Sequence, residues 1–80
     1  MAQLIQTGVA QKAAPGLLTI NFPQPFSTIP VVVISPYWQN AGQQSGNIDT
    51  IDTISPASFT IASQNNSPIY YITWIAVGED

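Results

Sequence analysis

The segment that decides the fold is residues 69–77, I-Y-Y-I-T-W-I-A-V. Its residues are β-branched or aromatic with few exceptions, and neither Gly nor Pro interrupts them, which is typical of a β-strand. Because strand side chains alternate between two faces, Tyr70, Ile72 and Trp74 lie on one face and the residues between them on the other. Both faces are apolar. We expect the protein's own core to cover one face and a second copy of the chain to cover the other.

Five more segments with strand composition precede this one, separated by residues that favour turns, such as Pro, Gly and Asn. No window of the sequence shows the helical period of apolar residues. We therefore predict a single all-β domain over residues 1–80, a sandwich or a barrel. The predicted strands are residues 3–9, 17–22, 29–35, 47–54, 58–63 and 69–77.

The composition limits both the fold and the partners. A chain of 80 residues without Cys or His has no disulfide and lacks the commonest metal ligands, so we expect oligomerisation to stabilise it. Charged residues make up 6% of the chain, against about 25% in an average domain. Lys12 is the only cation, which argues against nucleic acid or an anionic membrane as a partner. A surface of Gln, Asn, Ser and Thr suits an uncharged partner.

Neither a membrane segment nor a targeting segment is apparent in the sequence. No apolar run approaches the roughly 18 residues of a membrane-spanning helix, so we expect no membrane insertion. The N-terminus lacks the basic and apolar regions of a signal peptide. The compartment stays open between the cytoplasm and export by a route without a signal peptide.

Catalytic groups are scarce, and we predict that the protein is not an enzyme. Without His or Cys, and with a single Lys that we expect to be exposed, there is no conventional base or activated nucleophile. The odd spacing of Asp49 and Asp52 puts them on opposite faces of one strand, unsuited to paired carboxylate chemistry. We interpret both as solvated charges that protect a sheet edge, or alternatively as hydrogen-bonding groups at a subunit interface. With no acidic cluster, we expect no Ca²⁺ site and no cofactor.

The loops indicate where a function would lie. If the strands alternate in direction, the loops after strands one, three and five, at residues 10–15, 36–46 and 64–68, share one end of the domain. This end carries most of the Gln and Asn side chains with long reach, and loops on a rigid scaffold commonly carry function. The candidate carbohydrate-binding residues there are Tyr37, Trp38, Gln39, Asn40, Gln64, Asn65 and Asn66.

Several of these residues admit a second interpretation. Trp38 or Tyr37 could stack on the apolar face of a sugar ring, or Trp38 could fold back over the core or an interface. The Gln and Asn residues at 64–66 could bind sugar hydroxyls or simply form the turn. Trp74, at the centre of an apolar strand, is predicted to lie in the core or in an interface.

A series of short motifs follows the order of a known family. The chain has I-Q-T-G at residues 5–8, I-N-F at 20–22 with P-F at 25–26, I-P-V-V-V-I-S at 29–35, I-S-P-A-S-F at 54–59, and I-T-W-I-A-V-G at 72–78. Together they resemble the H-type lectin domain, the fold of the snail agglutinin and of the C-terminal domain of discoidins. The resemblance implies a six-stranded antiparallel β-sandwich, assembled as a trimer or as a hexamer of two trimers. It also implies non-catalytic binding of terminal N-acetylgalactosamine or galactose near subunit boundaries.

The sugar contacts of that family are not matched here. Its best-known members use Gly and Asp after strand one, an Arg at the start of strand four, and a Trp-His pair between strands five and six. The corresponding places in this chain read Q-K-A at residues 11–13, Gly46-Asn47, and Q-N-N-S at residues 64–67. We therefore predict a lectin for neutral glycans whose site is built from different residues.

The same motifs also resemble the trimeric receptor-binding tips of phage tail fibres. The alternative function is accordingly a trimeric attachment or structural module. A fibrous region upstream in a longer parent chain would favour this alternative.

Overall fold

The computed structural model describes residues 2–40 and 48–80, and within these residues the chain forms six β-strands and no helix. This confirms the all-β prediction. In the described part of the chain, no helix has the length and apolar character of a membrane span. The strands are β1 (Gln3–Gln11), β2 (Gly16–Asn21), β3 (Val31–Trp38), β4 (Thr50–Ile54), β5 (Ser58–Ser63) and β6 (Tyr70–Glu79).

The strands form two antiparallel sheets of three strands each. The first sheet has the order β1-β6-β3, and the second sheet has the order β2-β5-β4. The strand that carries most of residues 69–77 is thus the centre of the first sheet. It pairs with β1 from Gln11↔Tyr71 to Gln3↔Glu79 and with β3 from Trp38↔Tyr70 to Val31↔Val77.

The core lies between the sheets and is filled by the inward face of β6. Trp74 is buried, as predicted, and its indole packs edge-on against Phe22 and Phe59 at centroid distances of 5.7 and 5.5 Å. On the neighbouring strand, Gly8 lies beneath the indole. A Cβ atom built on Gly8 would lie 2.7 Å from Trp74 Cζ2, so the indole occupies the space that a side chain would need.

Two contacts close the end of the sandwich where β2 ends and β6 finishes, which we call the lower end. Phe26 is buried there, with its ring centroid 5.0 Å from that of Phe22. The buried side chain of Gln6 holds the loop after β2 by two hydrogen bonds. Its amide donates to the Gln24 carbonyl at 2.6 Å, and its oxygen accepts from the Gln24 amide at 2.9 Å.

The third and fourth strands differ most from their predicted bounds. β3 continues through Pro36 to Trp38, because both Tyr37 and Trp38 pair with β6, and the predicted loop therefore begins later. Pro36 is tolerated because β3 is an edge strand. β4 begins at Thr50 rather than residue 47, which itself lies outside the described residues. Most other strand ends differ by one or two residues.

The face of the first sheet that points away from the core is apolar and exposed, and we call it the outer face. Val31 and Val33 on β3 are 69% and 59% exposed, and Ile5 on β1 is 57% exposed. The register sets Ile5 and Val31 on either side of Val77 in one row across the sheet. Residues 31–34 are all β-branched, yet in the single chain only the inward-facing Val32 and Ile34 are covered.

Candidate functional site

The loops after β1, β3 and β5 meet at the end of the sandwich opposite the lower end, which we call the upper end. Backbone hydrogen bonds of 2.9 Å join Lys12 N to the Tyr70 carbonyl, Ser67 N to the Lys12 carbonyl, and Gln39 N to the Ile69 carbonyl. The prediction that these three loops share one end is confirmed for their described residues. Gln43 and Gln44, which the sequence also assigned to this end, lie outside the described residues.

A hydrogen-bond network centred on Asp49 lies beneath these loops. Its carboxylate accepts hydrogen bonds from the hydroxyl of Ser63, from the side-chain amide of Asn65 at 3.1 Å, and from the phenol of Tyr70. The backbone amide of Asn65 in turn donates to Ser63 Oγ at 3.0 Å. The network joins the residue before β4, the end of β5 and the first residue of β6. We call these four residues the Asp49 network.

This arrangement corrects the interpretation of Asp49 as a solvated edge charge. Asp49 is half-buried and lies just before β4, where it faces three donors rather than solvent. Asp52 does fit that interpretation. It is exposed on the edge strand β4, at the register shift between Ile51 and Thr53 where the strand bulges.

The electrostatics of the network keep Tyr70 protonated. Burial raises the pKa of the Tyr70 phenol to about 12, and the hydrogen bond to Asp49 and the negative charge of that carboxylate act in the same direction. At neutral pH, Tyr70 is therefore a neutral donor to the carboxylate. The hydrogen bond from the Tyr70 phenol to the Asp49 carboxylate thus fixes the positions of the residues in the loops above it.

Trp38 packs on the other side of the Tyr70 ring. The two ring centroids are 4.5 Å apart, and Trp38 is half-buried against the core. Its indole Nε1 is fully buried and has no hydrogen-bond partner among residues 2–40 and 48–80. Trp38 thus takes the position of an aromatic folded over the core, which was the second of its two interpretations.

The other candidate residues divide between exposed and buried positions. Gln39, Asn40, Gln64 and Asn66 are exposed, and Asn40 has a positive φ of 60° that fits its place in a turn. Asn66 Nδ2 donates to the Gln64 carbonyl at 3.1 Å, so this amide helps to form the turn. The next residue inward, Asn65, is buried in the Asp49 network.

Tyr37 lies on the outer face of the first sheet, because it precedes the inward-facing Trp38 in the strand. Its ring stacks on Tyr71 with a centroid distance of 5.5 Å and an angle of 22°. The seven predicted residues thus all lie at the upper end, but Tyr37 and Trp38 point to opposite faces of one sheet. Their role in binding stays a prediction.

Lys12 is buried, and the expectation of an exposed lysine is wrong. Only 1% of its surface is accessible, and its Nζ donates to the Ala14 carbonyl at 2.5 Å. The side chain follows the alternation of β1, in which even-numbered residues such as Gln6 point inward. Lys12, the only Lys or Arg of the sequence, therefore contributes no exposed positive charge to the upper end.

Sequence reasoning missed Asp49 and Tyr70 as residues that organise this end. Their contact depends on the register between β4 and β5 and on the stacking of one sheet over the other, which the spacing of residues in the chain does not fix. The described residues contain no group of three or more His, Cys, Asp or Glu side chains arranged to bind a metal ion.

Comparison with known proteins identifies the family. The model of the H-type lectin domain matches residues 18–77 of the 80 residues. No curated protein and no solved structure gives a significant match. The matched segment includes most of β2, all of β3 to β5 and most of β6, so it contains strands of both sheets. The chain therefore belongs to the family of H-type lectin domains.

Proposed function

We propose that the protein is a non-catalytic lectin that binds neutral glycans at its upper end. The observation that carries this proposal is the set of exposed amide side chains on loops fixed from beneath by the Asp49 network. Gln39, Asn40, Gln64 and Asn66 each present donors and acceptors suited to sugar hydroxyls. Because Asn65 and Ser63 are already hydrogen-bonded to Asp49, the loop after β5 is ordered before a ligand arrives, which lowers the entropic cost of binding.

The preference for neutral sugars follows from the charges. The chain has one Lys or Arg residue, Lys12, and its ammonium is buried on the Ala14 carbonyl. A sialylated or sulfated glycan would find no cationic side chain to offset its charge, and the protein's own net charge of −3 would repel it. Terminal galactose and N-acetylgalactosamine are the first sugars to test, because they are the ligands that the family resemblance implies.

We propose further that the protein is a homo-oligomer, a trimer or a hexamer, whose subunits pack through the outer face of the first sheet. The exposed Val31, Val33 and Ile5 on this face form a contiguous apolar patch with Val77. Exposed apolar patches commonly mark protein–protein contacts, and in so small a domain we expect the contact to be with further copies of the chain. We expect the affinity of a single site to be weak, about millimolar, and several sites on one particle would raise avidity by about 10²–10⁴.

Binding of the purified protein to a glycan array tests the proposal, followed by calorimetric titration with the methyl glycosides of galactose, N-acetylgalactosamine, glucose and mannose. We expect binding to a coherent set of neutral glycans and none to their sialylated counterparts. The double variant Gln39→Ala/Gln64→Ala should lose this binding. Thr19→Ala, exposed on the second sheet, is the matched control and should keep it. A folded wild-type protein that binds no glycan would refute the lectin function.

A further inference from the structure

A row of three side chains crosses the outer face at its upper end. Tyr71 on β6 pairs with Gln11 on one side and with Tyr37 on the other. Tyr37 is 39% exposed, and its ring lies nearly parallel to that of Tyr71. Gln11 Nε2 donates to the Pro68 carbonyl at 2.6 Å, which ties this end of the row to the loop after β5. We call Tyr37 and Tyr71 the tyrosine pair.

The tyrosine pair differs from the rows below it on the same face. Two rows towards the lower end, Ile5-Val77-Val31 and Thr7-Ile75-Val33, are apolar apart from Thr7. The row between them and the tyrosine pair, Val9-Thr73-Ser35, is mixed. The uppermost row carries phenol hydroxyls and an amide instead, and it borders the loop that continues from β3. Tyrosine combines a broad apolar ring with a hydroxyl that forms hydrogen bonds, so it suits a surface that is partly apolar and partly in contact with water.

Trp38 is less suited to stacking on a sugar than its residue type suggests. One side of its indole is covered by Tyr70 at a centroid distance of 4.5 Å, and its Nε1 is fully buried. Moving the indole outward would uncover the ring of Tyr70 and with it the Asp49 network. The aromatic ring that is already exposed at this end belongs to the preceding residue, Tyr37.

We propose that Tyr37, supported from behind by Tyr71, is the surface that stacks on the apolar face of a neutral pyranose. Trp38 is then a positioning residue that holds Tyr70 and the loops in place. This inference rests on the proposed lectin function and names the stacking group of that same site. Because the Tyr71 ring already restricts Tyr37, little side-chain entropy is lost on binding. Gln39 lies two residues further on, and its backbone amide donates to the Ile69 carbonyl. We expect its exposed side chain to hydrogen-bond the same sugar.

The contact can be observed directly in the wild-type protein. The protein, labelled with ¹³C in its aromatic rings, is titrated with the methyl glycoside that gives the strongest response in the calorimetric titration. We expect intermolecular nuclear Overhauser effects between the ring protons of Tyr37 and the protons on the apolar face of the sugar, and none from Trp38. Saturable binding with contacts from Trp38 and none from Tyr37 would overturn the inference and leave the lectin function intact. Absence of saturable binding by every glycoside would overturn the lectin function itself.

Variants give an independent measure of the same contact. Tyr37→Ala should weaken the affinity for a monovalent glycoside about tenfold, within the range of aromatic contacts. Tyr37→Phe keeps the ring and should stay within about threefold of wild type, as should the control Thr19→Ala on the exposed face of the second sheet. Sedimentation velocity on each variant separates loss of the sugar contact from loss of the oligomer. If Tyr37→Ala binds the glycoside as tightly as the wild type, the inference is wrong.

Discussion

The phenol of Tyr70, the first residue of β6, donates a hydrogen bond to the carboxylate of Asp49, which lies just before β4. β6 belongs to the first sheet and β4 to the second, so this single contact joins the two layers of the sandwich at the upper end. Ser63 and Asn65 bind the same carboxylate from the end of β5 and the loop that follows it. Directly beneath the proposed binding surface, the two sheets are therefore joined by hydrogen bonds from three donors to the half-buried Asp49 carboxylate, and not by apolar packing.

Removing this carboxylate should destabilise the fold. Asp49→Ala removes the acceptor of three side-chain hydrogen bonds, from Ser63, Asn65 and Tyr70, and losing the partner of a buried group costs about 1–3 kcal/mol. The chain provides a matched control, because Asp52→Ala removes an exposed carboxylate three residues away and should change stability by less than about 0.5 kcal/mol. Urea denaturation of the two variants measures the difference. Equal stabilities would show that the network contributes nothing to folding.

Stability should fall in strong alkali because of Tyr70. Its pKa is about 12 in the folded chain, against about 10 for an unfolded tyrosine. Between these values the unfolded chain has lost the proton that the folded chain keeps, so rising pH favours unfolding. The full contribution is present below about pH 10 and is lost towards pH 12, at a slope of roughly 1.4 kcal/mol per pH unit within that window.

Urea denaturation at several values of pH from neutral to strongly alkaline tests this dependence. Tyr70→Phe is the control, because it has no proton to lose and its stability should decline less over the same range. If the two proteins decline in parallel, the alkaline loss comes from other groups. The ultraviolet absorbance of the phenolate reports the titration independently.

The sequence predicted the six strands well, because burial on one face of a strand follows directly from the alternation of residues. The choice of a sandwich over a barrel came from the family resemblance. Residues 58–63 were predicted as a strand with the bounds that the structure has, since Phe59 and Ile61 alternate with polar or small residues between clear turns. The end of β3 was predicted three residues too early, because Pro36 signals a loop in the sequence. At an edge strand, proline costs no hydrogen bond to a neighbouring strand, and the pairing with β6 continues past it.

The sequence located the candidate site at one end of the domain, but it did not predict how the side chains there are arranged. Alternation of strand direction was enough to bring the loops with Lys12, Asn40 and Asn65 to one end. Whether a side chain there points to solvent or into the core depends on the exact strand ends and on which sheet covers which. For this reason Lys12 was expected outside and is inside, while Asp49 was expected in solvent and lies in a network.

Gly8 should not tolerate a side chain. The Cβ of Gly8→Ala would lie 2.7 Å from the indole of Trp74, so either the indole or β1 must move, at a cost of about 1–3 kcal/mol. Gly16→Ala is the contrasting variant, because it has free space around a Cβ atom but a φ of +94°, so it carries backbone strain alone. Both variants should be less stable than wild type. Only Gly8→Ala should also shift the fluorescence of tryptophan, and unchanged fluorescence in that variant would contradict the proposed overlap.

A charge on the outer face should dissociate the proposed oligomer. Val33→Asp places a carboxylate at the centre of the apolar rows, where burial between subunits would leave it unpaired at a cost of several kcal/mol. In the single chain Val33 is mostly exposed, so the variant should still fold. Thr19→Asp adds the same charge to the exposed face of the second sheet and should leave the oligomer intact.

Sedimentation velocity and two binding measurements separate assembly from recognition. Val33→Asp should sediment as a monomer and bind a monovalent glycoside as the wild type does, because Val33 lies below the tyrosine pair on the outer face. Its retention on a surface of densely immobilised glycan should fall by about 10²-fold or more, since avidity depends on several sites in one particle. A wild-type protein that sediments as a monomer at micromolar concentration would refute assembly through this face. If the wild-type protein is oligomeric and Val33→Asp sediments with the same mass as Thr19→Asp, the subunit contact lies elsewhere on the sandwich.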